Sequence, residues 1–115
     1  MENKLIDDII TFSKIGNNWD GYGGVPPKLD VIRNTLLLLT YIESKCRDKI
    51  TEYYPNPHGT ISLECENENI LVSVEVGKDS FGYFISNNNG EMEYFNKQLL
   101  EENYFDKLKK RIEAL

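Results

Sequence analysis

Apolar and polar residues alternate between residues 60 and 76, and this period of two limits the fold more than any other feature of the sequence. The apolar positions of the first two runs are Ile61, Leu63 and Cys65, then Ile70, Val72, Val74 and Val76. Successive side chains of a β-strand point to opposite faces of a sheet. Each run therefore predicts a strand with one apolar face and one polar face.

Turn signals between the runs predict that the strands form an antiparallel meander. We place a tight turn at Asn67–Glu68, which pairs Cys65 with Ile70, Leu63 with Val72 and Ile61 with Val74. One register then puts every apolar side chain of the hairpin on a single face. The GKDS turn at 77–80 pairs Val76 with Phe81, Val74 with Tyr83 and Val72 with Ile85.

Two further turns complete the predicted sheet. Asn–Gly is a strong hairpin signal, and a turn at 88–89 or at 89–90 directs Met92 and Tyr94 inward in either case. A strand near Ile50–Tyr54 ends at the turn Pro55–Gly59, because its prolines and glycine cannot continue a ladder. The segment 50–95 is therefore predicted to form four or five strands.

Helical patterns occupy both ends of the chain. Residues 1–47 contain two predicted helices: one ends at Gly16, and the second begins after Pro26–Pro27 and runs to about Lys45 or Arg47. Residues 97–115 predict a closing helix, whose apolar stripe is Phe105, Leu108, Ile112 and Leu115. With 115 residues the chain has core for one domain. We expect a single α+β domain over residues 1–115, with three helices packed on one face of an antiparallel sheet.

Charge and composition exclude several classes of function. Thirteen basic and nineteen acidic residues give a net charge of -6, which argues against nucleic-acid and anionic-membrane partners. The start, MENKLIDDII, is too charged for a secretory signal, so we expect a cytoplasmic protein. Cys46 and Cys65 are predicted to be buried, reduced thiols. His58 is the only histidine, and we expect neither a metal nor a cofactor.

The glycine-rich segment Asn17–Pro27, NNWDGYGGVPP, is the most distinctive local motif. One interpretation is a ligand loop, in which Trp19 and Tyr22 supply flat contact area, Asp20 supplies an anion and Gly21 allows close approach. The other is a structural turn, in which Trp19 fills the junction of helices and sheet and Asp20 accepts hydrogen bonds from nearby backbone N–H groups. The spacing matches neither the dinucleotide fingerprint nor the P-loop.

This motif resembles the NWDGxGA-PP signature of an uncharacterised group of small bacterial proteins. The resemblance covers residues 17–95, and it includes the Pro55–Gly59 turn, the segment Ile61–Glu64 and the Asn89–Gly90 turn. The chain departs from the pattern at Gly24, where we expect alanine, and at Cys65, where we expect an aromatic residue. Members are typical of mobile or accessory gene sets. The resemblance carries no catalytic residues and implies a partner-binding role.

The polar face of the predicted sheet is the second candidate site. Its expected outward residues are Glu64, Glu66, Glu75, Glu91 and Glu93, with Leu71 and Phe84 as an apolar centre. We interpret it as a docking surface for a basic partner, because complementary charge accelerates association. The alternative is a solvated face without a partner. A catalytic carboxylate pair is not expected, because the predicted register places Glu64 opposite Leu71 and away from Glu75.

Three hypotheses for function follow. The first is a non-catalytic protein-binding module, for example an antitoxin-like or immunity-like inhibitor of a basic partner. The second is a small enzyme or ligand-binding protein with its site at the Trp19–Gly24 loop. The third is a structural or regulatory subunit that forms homo-oligomers through an exposed sheet edge.

Overall fold

Three α-helices and five β-strands make up the structure, a computed structural model that describes residues 2–115 and side chains from residue 4 onward. The elements are α1 (Glu2–Thr11), a 3-10 turn (Phe12–Lys14), α2 (Leu29–Arg47), β1 (Glu52–Pro55), β2 (Ile61–Glu66), β3 (Ile70–Val76), β4 (Phe81–Asn87), β5 (Met92–Gln98) and α3 (Glu102–Glu113). The strands form one antiparallel sheet in chain order, from β1 to β5. The predicted α+β class and meander are confirmed, with five strands.

The hairpin of β2 and β3 keeps its predicted faces but not its predicted register. Cys65 pairs with Val72 and Leu63 with Val74, a shift of two residues along β3. The cause is the turn, where Oδ1 of Asn67 accepts hydrogen bonds from the backbone N–H groups of Asn69 and Ile70, both at 2.8 Å. The N–H of Asn67 donates to the carbonyl of Ile70 at 2.9 Å, so the two loop residues are Glu68 and Asn69, and the turn lies one residue later than expected. A shift of two preserves the inward set, because the side-chain period is two.

The side chains of β5 lie on the opposite faces of the sheet from those predicted. Its loop contains three residues, 88–90, with Gly90 at φ 80°, and the N–H of Asn87 donates to the carbonyl of Glu91 at 3.1 Å. Both two-residue turns considered from the sequence give the opposite parity. Met92 and Tyr94 therefore point away from the core, and Phe95 points inward against Tyr83, with ring centroids 4.5 Å apart. A slip of one residue reverses every side chain of a strand.

A bulge interrupts the pairing of β4 with β5. Phe81 pairs with Gln98 and Tyr83 with Phe95, so two residues of β5 lie opposite Gly82 alone. One of them, Lys97, has φ 51°. A Cβ on Gly82 would lie 3.2 Å from the carbonyl oxygen of Phe95, so the absence of a side chain permits this close approach.

The core is one cluster of buried side chains from all three helices and from alternate positions of the sheet. Phe81 contacts Phe105 of α3 at 5.3 Å between ring centroids, and it stacks on Tyr83 at 6.1 Å. Cys46 and Cys65 are both buried and unpaired, as predicted. Burial raises the pKa of the Cys65 thiol to about 12, so the buried thiol stays protonated at neutral pH.

The last helix is shorter than the sequence predicts. Helix α3 begins at Glu102 rather than near residue 97, because β5 extends to Gln98. Glu101 is the N-cap of this helix. Leu29, the first residue of α2, is 74% exposed. In the described part of the chain, no helix is both long and apolar enough to cross a membrane.

Candidate functional site

The face of the sheet that lies opposite the buried cluster, here called the outer face, contains a groove. Its floor includes two short residues, Ser62 of β2 and Gly82 of β4. Both pair with Glu75 of β3, which lies between them. Ser73 adds a third short residue beside them. Because the residues around this floor are longer, the sheet surface is concave there, with a volume of about 540 Å³.

Aromatic side chains form the walls of the groove. Tyr54 of β1 stands on one side, and Phe84 of β4 and Tyr94 of β5 stand on the other. The rings of Phe84 and Tyr94 contact each other, with centroids 6.3 Å apart and planes tilted by 44°. Tyr94 is 63% exposed. Lys97, at the β5 bulge, lines the groove as well and is its only lysine or arginine among the described residues.

Glu64 is held at the groove by two hydroxyl groups. Its Oε2 accepts hydrogen bonds from the Tyr54 hydroxyl at 3.0 Å and from the Ser73 hydroxyl at 3.2 Å. Burial, followed by this bond to Glu64, raises the pKa of Tyr54, so the phenol remains a donor at neutral pH. The carboxylate is thus oriented by neutral partners.

Glu75 anchors a second polar cluster at the groove. Its Oε2 accepts a hydrogen bond from the Thr60 hydroxyl at 2.6 Å and lies 2.6 Å from Nε2 of His58. Burial alone would raise the pKa of Glu75, but the hydrogen bonds from Thr60 and His58, together with the His58 charge, outweigh it and lower that pKa. Asn56 donates to Thr60 at 3.0 Å and to Ser62 at 2.8 Å, which ties the turn before β2 to the groove floor.

The His58 cluster does not have the geometry of a nucleophilic triad. Such a triad uses both nitrogens of the imidazole, one for the nucleophile and one for the carboxylate. Here Nε2 alone lies close to both Thr60 (3.0 Å) and Glu75 (2.6 Å). Thr60 also donates to the carboxylate directly, so its proton is not directed to the histidine. The cluster positions Glu75 and does not activate a hydroxyl.

The remaining residues of the predicted acidic face do not all lie on the outer face. Glu66 and Leu71 pair with each other on the outer face, next to the β2–β3 turn. Glu91 is exposed in the loop before β5. Glu93 is a correction: it lies on the helix side of the sheet, opposite Ile85. The two guanidinium nitrogens of Arg111 donate to its carboxylate at 3.0 and 3.1 Å, and they hold the pKa of Glu93 below its ordinary value.

The Asn17–Pro27 loop is closed by its own hydrogen bonds. Oδ1 of Asp20 accepts from the backbone N–H groups of Tyr22 at 2.9 Å and Gly24 at 2.8 Å. These two bonds, in that order, lower the pKa of Asp20. The Trp19 indole N–H donates to the carbonyl of Val25 at 3.0 Å. Asp20 therefore makes the backbone contacts expected of a structural turn, while the ligand-loop interpretation stays a prediction that rests on Tyr22, 93% exposed.

This loop is also joined to the turn that carries His58. The N–H of Val25 donates to the carbonyl of Pro57 at 2.8 Å, and Val25 forms a parallel bridge with His58. The two motifs that the resemblance links in sequence are thus in direct contact. The loop therefore supports the turn from which His58 contacts Glu75.

Gly24 should not tolerate alanine, the residue that the NWDGxGA-PP signature has at this position. A Cβ at this position would lie 2.7 Å from Oδ1 of Asp20, so the carboxylate must leave the two N–H groups that it binds. We expect Gly24→Ala to lower Tm by about 4–8 °C, measured by differential scanning calorimetry. In an Asp20→Ala background the same substitution should cost almost nothing, since the colliding atom is gone. An equal Tm loss in both backgrounds would contradict this account.

Comparison with known proteins yields no match to a protein-family model, to a curated protein or to a solved structure. Among the described residues, no group of three or more His, Cys, Asp or Glu side chains could hold a metal ion. The outer-face groove is therefore the candidate site, on its own geometry.

Sequence reasoning missed three residues that line this groove, Tyr54, Thr60 and Tyr94, and it missed the contact of His58 with Glu75. The available signal was the series of short residues Ser62, Ser73 and Gly82 on the polar sides of three consecutive strands. Short residues side by side on a sheet predict a depression, but only once the register is known.

Proposed function

We propose that the protein is a non-catalytic binding module that docks a basic protein partner on the outer face, while its three helices cover the opposite face. The observation that carries this proposal is a difference in ion pairing. Several carboxylates on the helices and the helix side of the sheet have lysine or arginine partners, as in Glu43–Lys109, Glu93–Arg111 and Asp106–Lys110. On the outer face, the basic partner of Glu75 is His58, and no described lysine or arginine lies within 4 Å of Glu64 or Glu66.

The pairing of β1 with β2 strengthens this contrast. Glu52 lies directly opposite Glu64, so two carboxylates occupy one cross-strand pair. Like charges in such a position destabilise a sheet. A cationic partner would relieve this repulsion, and a free solvated face gains nothing from it. The arrangement therefore favours a docking surface over the alternative of a solvated face.

Aromatic side chains on the same face supply contact area for binding, which the carboxylates alone do not. Tyr54, Phe84 and Tyr94 surround the groove and remain partly or largely exposed. Aromatic residues contribute much of the binding energy in protein interfaces, whereas exposed carboxylates mainly set specificity and association rate. An aromatic centre with a rim of carboxylates fits a partner that presents basic side chains.

The test compares two double charge-reversal variants that have the same net charge. Glu64→Lys with Glu75→Lys is expected to weaken binding of the partner recovered from native cells by roughly 100-fold, because it places cations against a basic surface. Affinity is measured by calorimetry with the purified partner. Binding by the natural chain should weaken with added salt, as expected for exposed charges.

The control variant changes the same charge on the helix side. Glu101→Lys with Glu113→Lys, at the ends of α3, also shifts the net charge from -6 to -2. This variant should bind the partner within about threefold of the natural chain, since surface sites remote from an interface contribute little. Equal weakening in both double variants, or retained affinity in the outer-face variant, would reject the proposed surface.

A further inference from the structure

Glu64 and Glu75 are diagonal neighbours across the floor of the groove. Glu64 pairs with Ser73 and Glu75 pairs with Ser62, so the two glutamates and two serines occupy alternate corners of one patch. Diagonal positions on adjacent strands are separated by about 7–8 Å. The register shift of two residues, described above for β2 and β3, is what brings these carboxylates to the same patch.

Each carboxylate has one oxygen engaged and one oxygen available. Oε2 of Glu64 accepts from Tyr54 and Ser73, and Oε2 of Glu75 accepts from Thr60 and contacts His58. In the side chains that the structure describes, Oε1 of neither glutamate has a hydrogen-bond partner. The hydroxyl groups thus fix the orientation of both carboxylates and leave an acceptor on each.

An aromatic wall stands beside this pair of acceptors. Phe84 pairs with Ser73 across β3 and β4, so its ring borders the patch that holds Glu64. Tyr94 extends the wall onto β5, and Tyr54 closes the other side. A planar cation can stack on such rings while it donates hydrogen bonds to a carboxylate in its own plane.

We propose that this groove is a pocket for the guanidinium group of one arginine side chain, presented by the basic partner. The proposal rests on the proposed function and names the group that this partner inserts. Guanidinium offers five donors in a rigid fork, which suits acceptors on two separate carboxylates, and it stacks on aromatic faces. An ammonium group is a compact, strongly hydrated charge that cannot use both features.

The groove has few negative charges to offer a run of basic residues. Lys97 lines it at the β5 bulge, so its positive charge offsets part of the charge of Glu64 and Glu75. His58, the other basic group near the patch, already contacts Glu75. The pocket is therefore expected to bind a single arginine of a peptide segment in preference to a run of basic residues.

The experiment uses three capped tripeptides, Gly-Arg-Gly, Gly-Lys-Gly and Gly-citrulline-Gly, titrated into the isotope-labelled full chain. The arginine peptide should shift the backbone amide signals of Ser62, Ser73, Gly82 and Phe84. Its affinity should exceed that of the lysine peptide by about fivefold and that of the neutral citrulline peptide by about tenfold. Glu64→Gln and Glu75→Gln should each weaken the arginine peptide by about tenfold, whereas Glu113→Gln, on α3, should leave its affinity unchanged.

Three results would overturn the pocket. These are equal affinity for arginine and citrulline peptides, equal affinity for arginine and lysine peptides, and signal shifts confined to residues outside the groove. Failure of the pocket is distinguishable from failure of the proposed function. If the peptide does not bind the groove but the intact partner still depends on the outer-face glutamates, only the arginine pocket is wrong. If the peptide binds while the partner ignores those glutamates, the docking function is wrong.

Discussion

Replacing Asn34 by aspartate is expected to lower the free energy of unfolding by about 3–5 kcal/mol, because it buries a charge without a counterion. Asn34 lies on α2 and is 8% exposed. Its Nδ2 donates to the carbonyls of Gly77 at 3.0 Å and Lys78 at 2.8 Å, which joins α2 to the β3–β4 turn. Aspartate keeps the shape but directs a carboxylate at two carbonyl oxygens. Urea denaturation measures the loss.

The matched control is the same substitution at an exposed asparagine. Nδ2 of Asn88 also donates to a backbone carbonyl, that of Glu68 at 3.1 Å, but in a solvent-exposed loop. Asn88→Asp should cost about 0.5 kcal/mol or less, since water replaces the lost bond. Asn34→Ala should fall between, at about 1–3 kcal/mol, because it leaves two carbonyls unsatisfied without adding charge. Similar costs for Asn34→Asp and Asn88→Asp would refute the role of burial.

Phe81→Ala is the second substitution with a large expected effect, a loss of about 3–5 kcal/mol in the free energy of unfolding. Phe81 is 1% exposed, and its ring contacts Phe105 of α3 and Tyr83 of the same strand. Truncation leaves a cavity between the sheet and α3 that the surrounding backbone can only partly fill. Thermal and urea unfolding of the same preparation report the loss.

Phe84→Ala tests the opposite face of the same strand. Phe84 is half-buried on the outer face beside Tyr94, so its truncation should cost only about 1 kcal/mol of stability. It should nevertheless weaken the arginine peptide, because it removes part of the aromatic wall. A Phe84 variant as unstable as the Phe81 variant would show that the outer face is part of the core, contrary to the structure.

Hydrophobic periodicity predicts which side chains of a strand share a face. The number of residues in the preceding turn decides which of the two faces points to the core. The β3–β4 register, with Val76 opposite Phe81, is confirmed residue for residue. At the β2–β3 hairpin, the side chain of Asn67 supports a turn one residue later than predicted, and the resulting shift of two in the pairing leaves the faces intact. At the β4–β5 turn an odd number of loop residues reverses β5, which moves Glu93 to Arg111 and Tyr94 to the groove. Sequence alone does not distinguish these turns, because Asn and Gly suit several turn types.

The candidate site was predicted only in its outline. Glu64 and Glu75 were expected on the polar face, and the structure places them there. Their proximity depends on the register, and the contact between Glu75 and His58 joins residues seventeen positions apart through a turn with two prolines. Such contacts come from tertiary geometry and leave no local pattern. The bonds that Asp20 makes to Tyr22 and Gly24 are local, and the structural-turn interpretation anticipated their kind.

The bulge at Lys97 bears on how copies of this chain behave at high concentration. β5 is an outermost strand, and a second molecule could extend the sheet only by adding a continuous ladder of hydrogen bonds along it. The left-handed conformation of Lys97 bends the strand and turns its backbone groups out of line. At the other border, β1 has four residues and ends in Pro55. Both borders are therefore poor templates for the addition of a further strand.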